Sequence, residues 1–198
     1  DYLWDGQPHP SSAAFSSTKR SMIQMGHAFK NQYSLPSINI ILPGVYGPGD
    51  SADPEKVHAM NALIIKAVRN HLFQEPINVW GSGKPLREWL YVKDIARLIN
   101  QIVTRDDLPE ILNFGKEKGL SISEIVNILK EKLSILDQDI VYLTHMPDGD
   151  PKKILGGSLF KKVFPKFKFT DFDQCVDETI EFYKSYFSKD GTTRYCPR

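Results

Sequence analysis

The sequence predicts an α/β fold, and three observations lead to this prediction. Short apolar runs bounded by proline or glycine, such as residues 38–42, are typical of buried strands. Other segments, such as residues 55–71, carry apolar residues at helical spacing. The two kinds of segment alternate along the chain without internal repeats, which is typical of a sheet covered by helices.

The first predicted element is a helix that ends near Tyr33. Ser11 and Ser12 can cap its N-terminus. The apolar residues near one face of this helix are Phe15, Met22, Met25 and Phe29. Residues 38–42 then form a buried strand, and the glycine- and proline-rich residues 44–49 are predicted to be a loop.

The rest of the chain continues the alternation. A helix over residues 55–71 precedes a strand over residues 77–80, which ends in the turn 81–83. Residues 121–124 (Ser-Ile-Ser-Glu) form a capping box that opens another helix. The other predicted elements are a helix capped by Asp94, strands over residues 111–114 and 140–143, and a last helix from Asp171.

Composition argues against several classes of function. The chain has 198 residues and a net charge of +1, without the basic excess of a nucleic-acid-binding protein. No apolar run approaches the roughly 20 residues that span a bilayer, and no secretory signal is evident, so we expect a cytoplasmic protein. Cys175 and Cys196 are too few for a disulfide framework or a metal site, and no metal is expected.

Phe15 and Lys19 lie four residues apart, so the predicted helix places them side by side. A Tyr-x-x-x-Lys pair uses this spacing in catalysis, because the lysine lowers the pKa of a phenol that transfers protons. In this chain the phenol is absent. Taken alone, the pair therefore indicates a core phenylalanine beside an exposed lysine.

The most specific string covers residues 79–96 (VWGSGKPLREWLYVKDIA). Trp80 offers a stacking face, and the guanidinium of Arg87 can hold a diphosphate with two hydrogen bonds. Alternatively, Arg87 pairs with Glu88 or Asp94 at the surface.

Two further strings carry chemical information. Residues 42–49 (LPGVYGPG) follow a predicted strand, where α/β proteins bind ligands, so they form either a cofactor loop or an ordinary turn. Residues 148–153 (DGDPKK) precede an alternation of Lys and Phe over residues 160–169. We interpret this alternation as an extended edge with Phe inward and Lys outward, and not as a stacking platform for nucleic acid.

In this order, the strings resemble the extended short-chain dehydrogenase/reductases that act on nucleotide sugars, and within them the GDP-L-fucose synthase type. The resemblance covers nearly the whole chain. It implies the C-terminal part of that Rossmann fold together with the smaller α/β substrate domain. It also implies conversion of GDP-4-keto-6-deoxymannose to GDP-L-fucose with NADPH, and a homodimer formed through the helix that bears Lys19.

The resemblance also implies roles for single residues. Lys19 matches the lysine that holds the nicotinamide ribose, and Phe15 stands at the position of the catalytic tyrosine. His58 matches the acid of the epimerisation, and it lies near the cofactor. The loop that contacts the nicotinamide half of NADP corresponds to Leu42, Pro43, Gly44 and Val45, with Gly44 in place of the usual asparagine. The residues expected to contact the GDP-sugar are Lys66, Trp80, Arg87 and Asp148.

The same resemblance predicts how the chain is divided. Residues 1–49 correspond to a remnant of the NADP-binding Rossmann domain. Residues 50–187 correspond mainly to the substrate domain, with a Rossmann segment returning near residues 91–115. Residues 188–198 are a polar tail. The Gly-x-x-Gly-x-x-Gly phosphate turn of the family does not occur in this sequence.

Two other functions stay open at this point. One is a UDP-, dTDP- or CDP-sugar epimerase or dehydratase of the same fold. The other is a non-catalytic nucleotide-sugar-binding or assembly module, which Phe15 favours because it removes the general acid of the reduction.

Overall fold

The computed structural model describes residues 3–190, so Cys196 and most of the predicted polar tail lie outside the described residues. The helices are α1 (Ala13–Tyr33), α2 (Ala59–Phe73), α3 (Val92–Ile102), α4 (Ile122–Leu133), α5 (Ser158–Val163) and α6 (Phe172–Asp190). The strands are β1 (Asn39–Ile41), β2 (Gly44–Tyr46), β3 (Ile77–Trp80), β4 (Leu86–Arg87), β5 (Trp89–Tyr91), β6 (Ile111–Asn113), β7 (Leu120–Ser121), β8 (Ile140–Leu143) and β9 (Lys152–Lys153).

Parallel strand pairs dominate the sheets, which confirms the α/β prediction. β1 pairs with β6, β2 with β5, and β3 with β8, all in parallel. β4 pairs antiparallel with β7 and parallel with β9. Each parallel pair joins strands that are far apart in sequence, because a parallel connection needs a crossover.

The larger hydrophobic core packs α2, α4 and α6 against β3 and β8. Its centre is α2, where Met60, Ile64, Ile65 and Val68 are fully buried. The Ser121–Glu124 capping box is present as predicted, with Ser121 accepting from the Glu124 backbone N–H at 3.1 Å. This core supports the strand that ends at Trp80.

A second core lies between β6, α3 and residues 160–169. Phe114 stacks on Phe169 with ring centroids 5.3 Å apart, and it contacts Phe160 at 4.8 Å. The Phe side chains point inward and the Lys side chains outward, as predicted. The predicted extended edge is wrong, because residues 158–163 form α5 and the following residues make turns.

Several predicted element boundaries differ from the structure. The second helix begins at Ala59 and not at residue 55, because the Lys56 and Val57 backbone N–H groups close a turn onto the carbonyl of Asp53. Asp94 does not cap α3 but lies in its first turn, where its buried carboxylate accepts from Thr170. The last helix extends to residue 190, so residues 188–190 of the predicted tail are helical.

The N-terminal region is more exposed than the sequence predicted. Residues 38–42 contain β1, which is half-buried and not fully buried. Gly44 to Tyr46, predicted to be a loop, form β2. In α1, Ile23 is buried, but the apolar face predicted from the sequence is exposed along its length, at Phe15, Met22, Met25 and Phe29.

Candidate functional site

A cavity of about 1150 Å³ opens at the end of β3. Its wall brings together parts of the chain that are far apart in sequence: α2, the β3–β4 turn, β4, and the segment after β8. All four residues that the sequence analysis assigned to the substrate line this cavity, namely Lys66, Trp80, Arg87 and Asp148. Its volume is that of a site for a large organic ligand.

The turn between β3 and β4 forms one edge of the cavity. Gly81 and Gly83 have φ angles of 74° and 76°, which glycine adopts without strain. Asp148 ties the neighbouring loop to this turn, because its carboxylate accepts from the Ser82 backbone N–H at 2.6 Å and from the Ser82 hydroxyl at 2.7 Å. These hydrogen bonds from Ser82 hold the pKa of Asp148 below its usual range.

Arg87 projects from β4 into this wall. It donates to the backbone carbonyls of Leu86 at 2.9 Å and Asp148 at 3.3 Å. The alternative pairing with acidic neighbours is wrong, because Glu88 and Asp94 accept hydrogen bonds elsewhere. The positive charge of Arg87 instead acts on the carboxylates of Asp148 and Asp150, where it helps to lower the pKa of both groups.

Glu88 is buried directly behind Arg87. Its carboxylate accepts from the backbone N–H groups of Lys116, of Glu117 at 3.1 Å and of Leu155 at 2.8 Å. A buried carboxylate is stable only when its oxygens are hydrogen-bonded. Glu88 lies between β4 and β5, so these hydrogen bonds fix the position of the junction between the two strands.

Lys66 and Trp80 contribute differently to the cavity. The Lys66 amine donates to the backbone carbonyl of Asn78 at 2.7 Å, and burial lowers its pKa. The Trp80 side chain is 54% exposed at the end of β3, so one face of the indole is open to a ligand. The wall thus combines cations with a flat aromatic surface.

His58 sits beside the cavity, between the lining residues Val57 and Ala59, but does not line it. The carboxylate of Asp50 holds His58 at two points, the ring Nδ1 at 3.1 Å and the backbone N–H at 3.2 Å. The same carboxylate accepts from the Asn61 amide at 2.8 Å. Burial alone would raise the pKa of Asp50, but the bonds from Asn61 and His58 outweigh it and lower that pKa.

Phe15 and Lys19 lie on one face of α1, as their spacing predicted. The Lys19 amine is 5.4 Å from the centroid of the Phe15 ring. The prediction of a core phenylalanine is wrong, because Phe15 is 67% exposed. Neither residue lines the cavity.

Leu42 and Pro43 connect β1 to β2 at the carboxyl end of β1, and Gly44 and Val45 are the first two residues of β2. The segment from Leu42 to Val45 lies outside the cavity lining as well. Gly44 and Trp89 are partners in the parallel β2–β5 pair, and the indole of Trp89 packs directly against Gly44. The structure therefore gathers the four substrate-side candidates and leaves the cofactor-side candidates outside that cavity.

Sequence reasoning missed two contributors to this region. Asp50 ends the string VYGPGD and follows directly after a glycine-rich loop, which was a usable signal for an orienting carboxylate. Trp89 also lines the cavity, but nothing in its sequence pattern distinguishes it from a core residue.

Other kinds of site find little support in the described part of the chain. Residues 3–190 contain no group of three or more His, Cys, Asp or Glu side chains placed to hold a metal. Cys175 is buried, and burial raises the pKa of its thiol to about 11, so it is not a reactive thiolate at neutral pH. Among these residues, no helix combines the length and apolarity needed to cross a membrane.

Parallel strand pairs, crossover helices and a ligand-sized cavity at a strand end define an α/β protein with a candidate ligand site. The sequence matches the NAD dependent epimerase/dehydratase family over residues 3–115, more than half of the chain. The chain belongs to this family.

Relatives within the family include several fucose synthases. The GDP-L-fucose synthase of Dictyostelium discoideum is 25% identical over 183 residues, which are 91% of this chain and 57% of the relative. The GDP-L-fucose synthase of Sinorhizobium fredii is 30% identical over 77% of this chain and 49% of the relative. The chain thus spans about half the length of the curated relatives it matches.

Solved structures of related enzymes have a similar fold. A GDP-L-fucose synthetase from Naegleria fowleri bound to NADP superimposes with a TM-score of 0.85 at 26% identity, over 93% of this chain and 60% of the other. A dTDP-glucose 4,6-dehydratase from Bacillus anthracis in complex with NAD has a TM-score of 0.73 at 24% identity, over 93% and 58%, and shares the fold.

Proposed function

We propose that this chain is the nucleotide-sugar-binding part of an enzyme of the GDP-L-fucose synthase type, which converts GDP-4-keto-6-deoxymannose to GDP-L-fucose with NADPH. One observation carries this proposal, the convergence of Lys66, Trp80, Arg87 and Asp148 on a single cavity. Similarity to several fucose synthases along most of the chain supports it.

The cavity suits a nucleoside diphosphate. The Arg87 guanidinium has further N–H donors beyond its two bonds to carbonyls, and these bind the diphosphate. Lys66 adds a second positive charge from α2. The exposed face of Trp80 stacks on the base, and Asp148 holds the turn that carries this end of the site.

His58 is proposed to act as the acid of the epimerisation at C3 and C5. Protons next to a 4-keto group are acidic, so inversion there needs a group that returns a proton to the ring. Asp50 holds the Nδ1 atom of His58 at 3.1 Å, which leaves Nε2 as the atom that exchanges the proton.

NADP is the proposed cofactor, and when bound in its reduced form it supplies the hydride for C4. Lys19 would hold the nicotinamide ribose, and residues 42–45 would contact the nicotinamide half. These residues fit that half of the cofactor, because the Lys19 side chain is exposed and the segment follows the carboxyl end of β1.

Phe15 has no hydroxyl, so it cannot protonate the oxygen at C4 while hydride arrives. The loss of a general acid costs about 10²–10⁴-fold in rate. We therefore propose that reduction by this chain is impaired, whereas binding of the nucleotide sugar is intact.

The proposed organisation follows the same resemblance. Residues 1–49 belong to the cofactor-binding domain, and residues 50–187 belong mainly to the substrate domain. Within the latter range, residues 91–115 return to the cofactor-binding domain. The second hydrophobic core packs Ile38 and Ile40 with Leu98 and Leu112, which supports the assignment of residues 91–115 to the same side as residues 1–49. A homodimer through α1 is supported by the exposed apolar face of that helix, and we propose a cytoplasmic location.

Two observations favour other functions. The dTDP-glucose 4,6-dehydratase of Salmonella typhimurium is 25% identical over 87% of this chain, which favours a dTDP- or UDP-sugar enzyme as a second candidate. Phe15 favours a third, a binding or assembly module that performs no reduction.

Calorimetric titration of the chain with GDP, UDP and dTDP tests the proposal. We expect GDP to bind most tightly, and Trp80→Ala to weaken GDP binding about 10-fold through lost stacking. Trp4→Ala is the matched control, because Trp4 is also partly exposed but does not line the cavity. A preference for UDP or dTDP would support the second candidate, and no binding of any nucleotide would overturn the proposal.

A further inference from the structure

Asn61 is a buried polar side chain in the first turn of α2. Its amide has two partners from the loop that follows β2. The amide oxygen accepts from the Gly47 backbone N–H at 3.2 Å, and the amide nitrogen donates to the Asp50 carboxylate at 2.8 Å. Because one partner is a donor and the other an acceptor, only one orientation of the amide satisfies both. Asn61 therefore holds the Asp50 carboxylate in a defined position relative to α2.

The Asp50 carboxylate is surrounded by hydrogen-bond donors. The Oδ2 atom that accepts from Asn61 also meets the backbone N–H and the ring Nδ1 of His58. The Oδ1 atom accepts from the Ser51 backbone N–H at 2.8 Å. The Tyr183 hydroxyl on α6 donates to the Asp50 backbone carbonyl at 3.2 Å. Residue 50 is thus held against His58 from two helices.

These contacts determine which ring nitrogen of His58 carries a hydrogen. An ionised carboxylate accepts hydrogen bonds and donates none, so Nδ1 is the donor toward Asp50. In the neutral ring Nε2 is then the unprotonated nitrogen, whereas free histidine favours the tautomer with its hydrogen on Nε2. His58 can take up a proton at Nε2 and release it there while Nδ1 stays on Asp50.

We propose that Asn61 is a positioning residue for the epimerisation, because it fixes Asp50 and thereby keeps His58 in the Nδ1–H tautomer with Nε2 open to the substrate. This inference rests on the proposed function, which makes His58 the acid of that step. Asn61 does not line the cavity, so it acts through Asp50 and not on the ligand. Its bond to Gly47 also connects His58 to β2, the strand that contains part of the segment proposed to contact the nicotinamide.

The tautomer of His58 is the first readout, and it needs no substrate. With the imidazole rings labelled by ¹⁵N, the two ring signals of each histidine show which nitrogen carries hydrogen, and His58→Gln assigns those of His58. At a pH at which the ring is neutral, we expect Nδ1–H in the unmodified chain. Asn61→Leu has a similar shape without the amide, and we expect it to shift His58 toward the Nε2–H tautomer. The Nε2–H tautomer in the unmodified chain would overturn the proposal.

Exchange of the C3 and C5 hydrogens of the 4-keto sugar with D₂O is the second readout. In this exchange a proton leaves the carbon and a deuteron from the solvent takes its place, so no hydride transfer is needed. In the full native polypeptide we expect Asn61→Leu to lower the kcat of exchange about 10- to 100-fold, because the acid is misoriented. The KM should stay within about 2-fold, because the cavity wall is unchanged.

Asn70→Leu is the matched control. Asn70 is buried in the same helix, and its amide donates to the Glu75 backbone carbonyl at 2.8 Å, far from His58 in sequence. This variant removes the same atoms, and we expect a similar loss of stability. It should leave the tautomer of His58 and the kcat of exchange unchanged. A readout that moves in both variants therefore reports stability and not positioning.

The outcomes separate this inference from the function on which it rests. If the unmodified polypeptide exchanges neither hydrogen, the proposed function fails, and the role of Asn61 fails with it. If it exchanges both, but Asn61→Leu changes neither the tautomer nor kcat, the inference about Asn61 fails alone. Equal loss of kcat in Asn61→Leu and Asn70→Leu would also overturn it. If Asn61→Leu does not fold, Asn61→Ser, whose side chain is too short to hold both Gly47 and Asp50, decides by the same two readouts.

Discussion

The cavity at the end of β3 and the outer face of α1 differ in how they are built. Contacts between distant parts of the chain hold the cavity wall. The buried carboxylate of Glu88 accepts from the Leu155 backbone N–H, and the exposed carboxylate of Asp148 accepts from the Ser82 hydroxyl of the β3–β4 turn. Phe15 and Lys19 are exposed on α1, and the contact between them is local. The groups of a binding or catalytic site keep an accurate geometry only when the residues that support them are held in place.

This difference separates two halves of the proposed chemistry. The residues proposed to bind the nucleotide sugar line one cavity, whereas Phe15 and Lys19 on the proposed cofactor side are exposed and do not line it. Binding of the sugar nucleotide and reduction of its keto group should therefore respond independently to mutation.

The largest expected effect concerns α1. Phe15→Tyr supplies the missing phenol beside Lys19, and we expect it to raise NADPH oxidation with the 4-keto sugar about 10²–10⁴-fold. The assay uses the full native polypeptide. Phe29→Tyr is the matched control, because it adds a phenol to the same exposed face away from Lys19. Equal rates for the two variants would show that residue 15 does not limit the reaction.

The next largest effect concerns the cavity. Arg87→Gln removes the charge proposed to hold the diphosphate, and we expect GDP to bind about 10- to 100-fold more weakly. Arg105→Gln is the control, since Arg105 pairs with Asp107 and does not line the cavity. Calorimetry measures both. If Arg87→Gln binds GDP as tightly as the parent chain, the proposal that Arg87 holds the diphosphate is wrong.

A smaller effect is expected where Asp50 holds His58. Asp50→Asn weakens the bonds to His58 and Asn61, and we expect it to lower the free energy of unfolding by about 1 kcal/mol at pH 7. Because the folded state lowers the pKa of Asp50, its contribution is present above about pH 4 and is lost as the pH falls further. Denaturant unfolding at pH 7 and pH 3 measures this. If the variant and the parent differ in free energy of unfolding by the same amount at pH 7 and pH 3, the contribution assigned to the Asp50 carboxylate is wrong.

The smallest effect on stability is expected on the apolar face of α1. Met25→Lys changes an exposed side chain, so the free energy of unfolding of the monomer should stay within about 0.5 kcal/mol. The same change introduces a charge into the proposed dimer surface. Sedimentation should show dissociation of the variant dimer, and a monomeric parent chain would contradict the dimer proposal.

Local signals in the sequence predicted much of this fold. The strands at residues 77–80 and 140–143 and the helix that opens at the Ser121–Glu124 capping box were found at their observed positions, because apolar period and capping are local properties. The short strands β4, β7 and β9 were missed. Each has two residues and exists only through pairing with a distant segment, which no local pattern records.

Only the site residues that lie within recognisable sequence motifs could be predicted. Residues 66, 80, 87 and 148 were identified through resemblance, and they line one cavity. The contact of Asp50 with His58, and the packing of the Trp89 indole against Gly44, depend on contacts across strands and loops. The exposure of Phe15 was wrongly predicted, because an amphipathic pattern does not tell which apolar faces are covered within the chain.

Hydrogen exchange of the chain with and without GDP-L-fucose tests the central claim most directly, because it compares both regions in one experiment. We predict that the ligand slows amide exchange in the β3–β4 turn and in residues 144–150, and leaves the exchange of α1 unchanged. Protection confined to α1, or no protection anywhere, would contradict the assignment of the cavity to a nucleotide sugar.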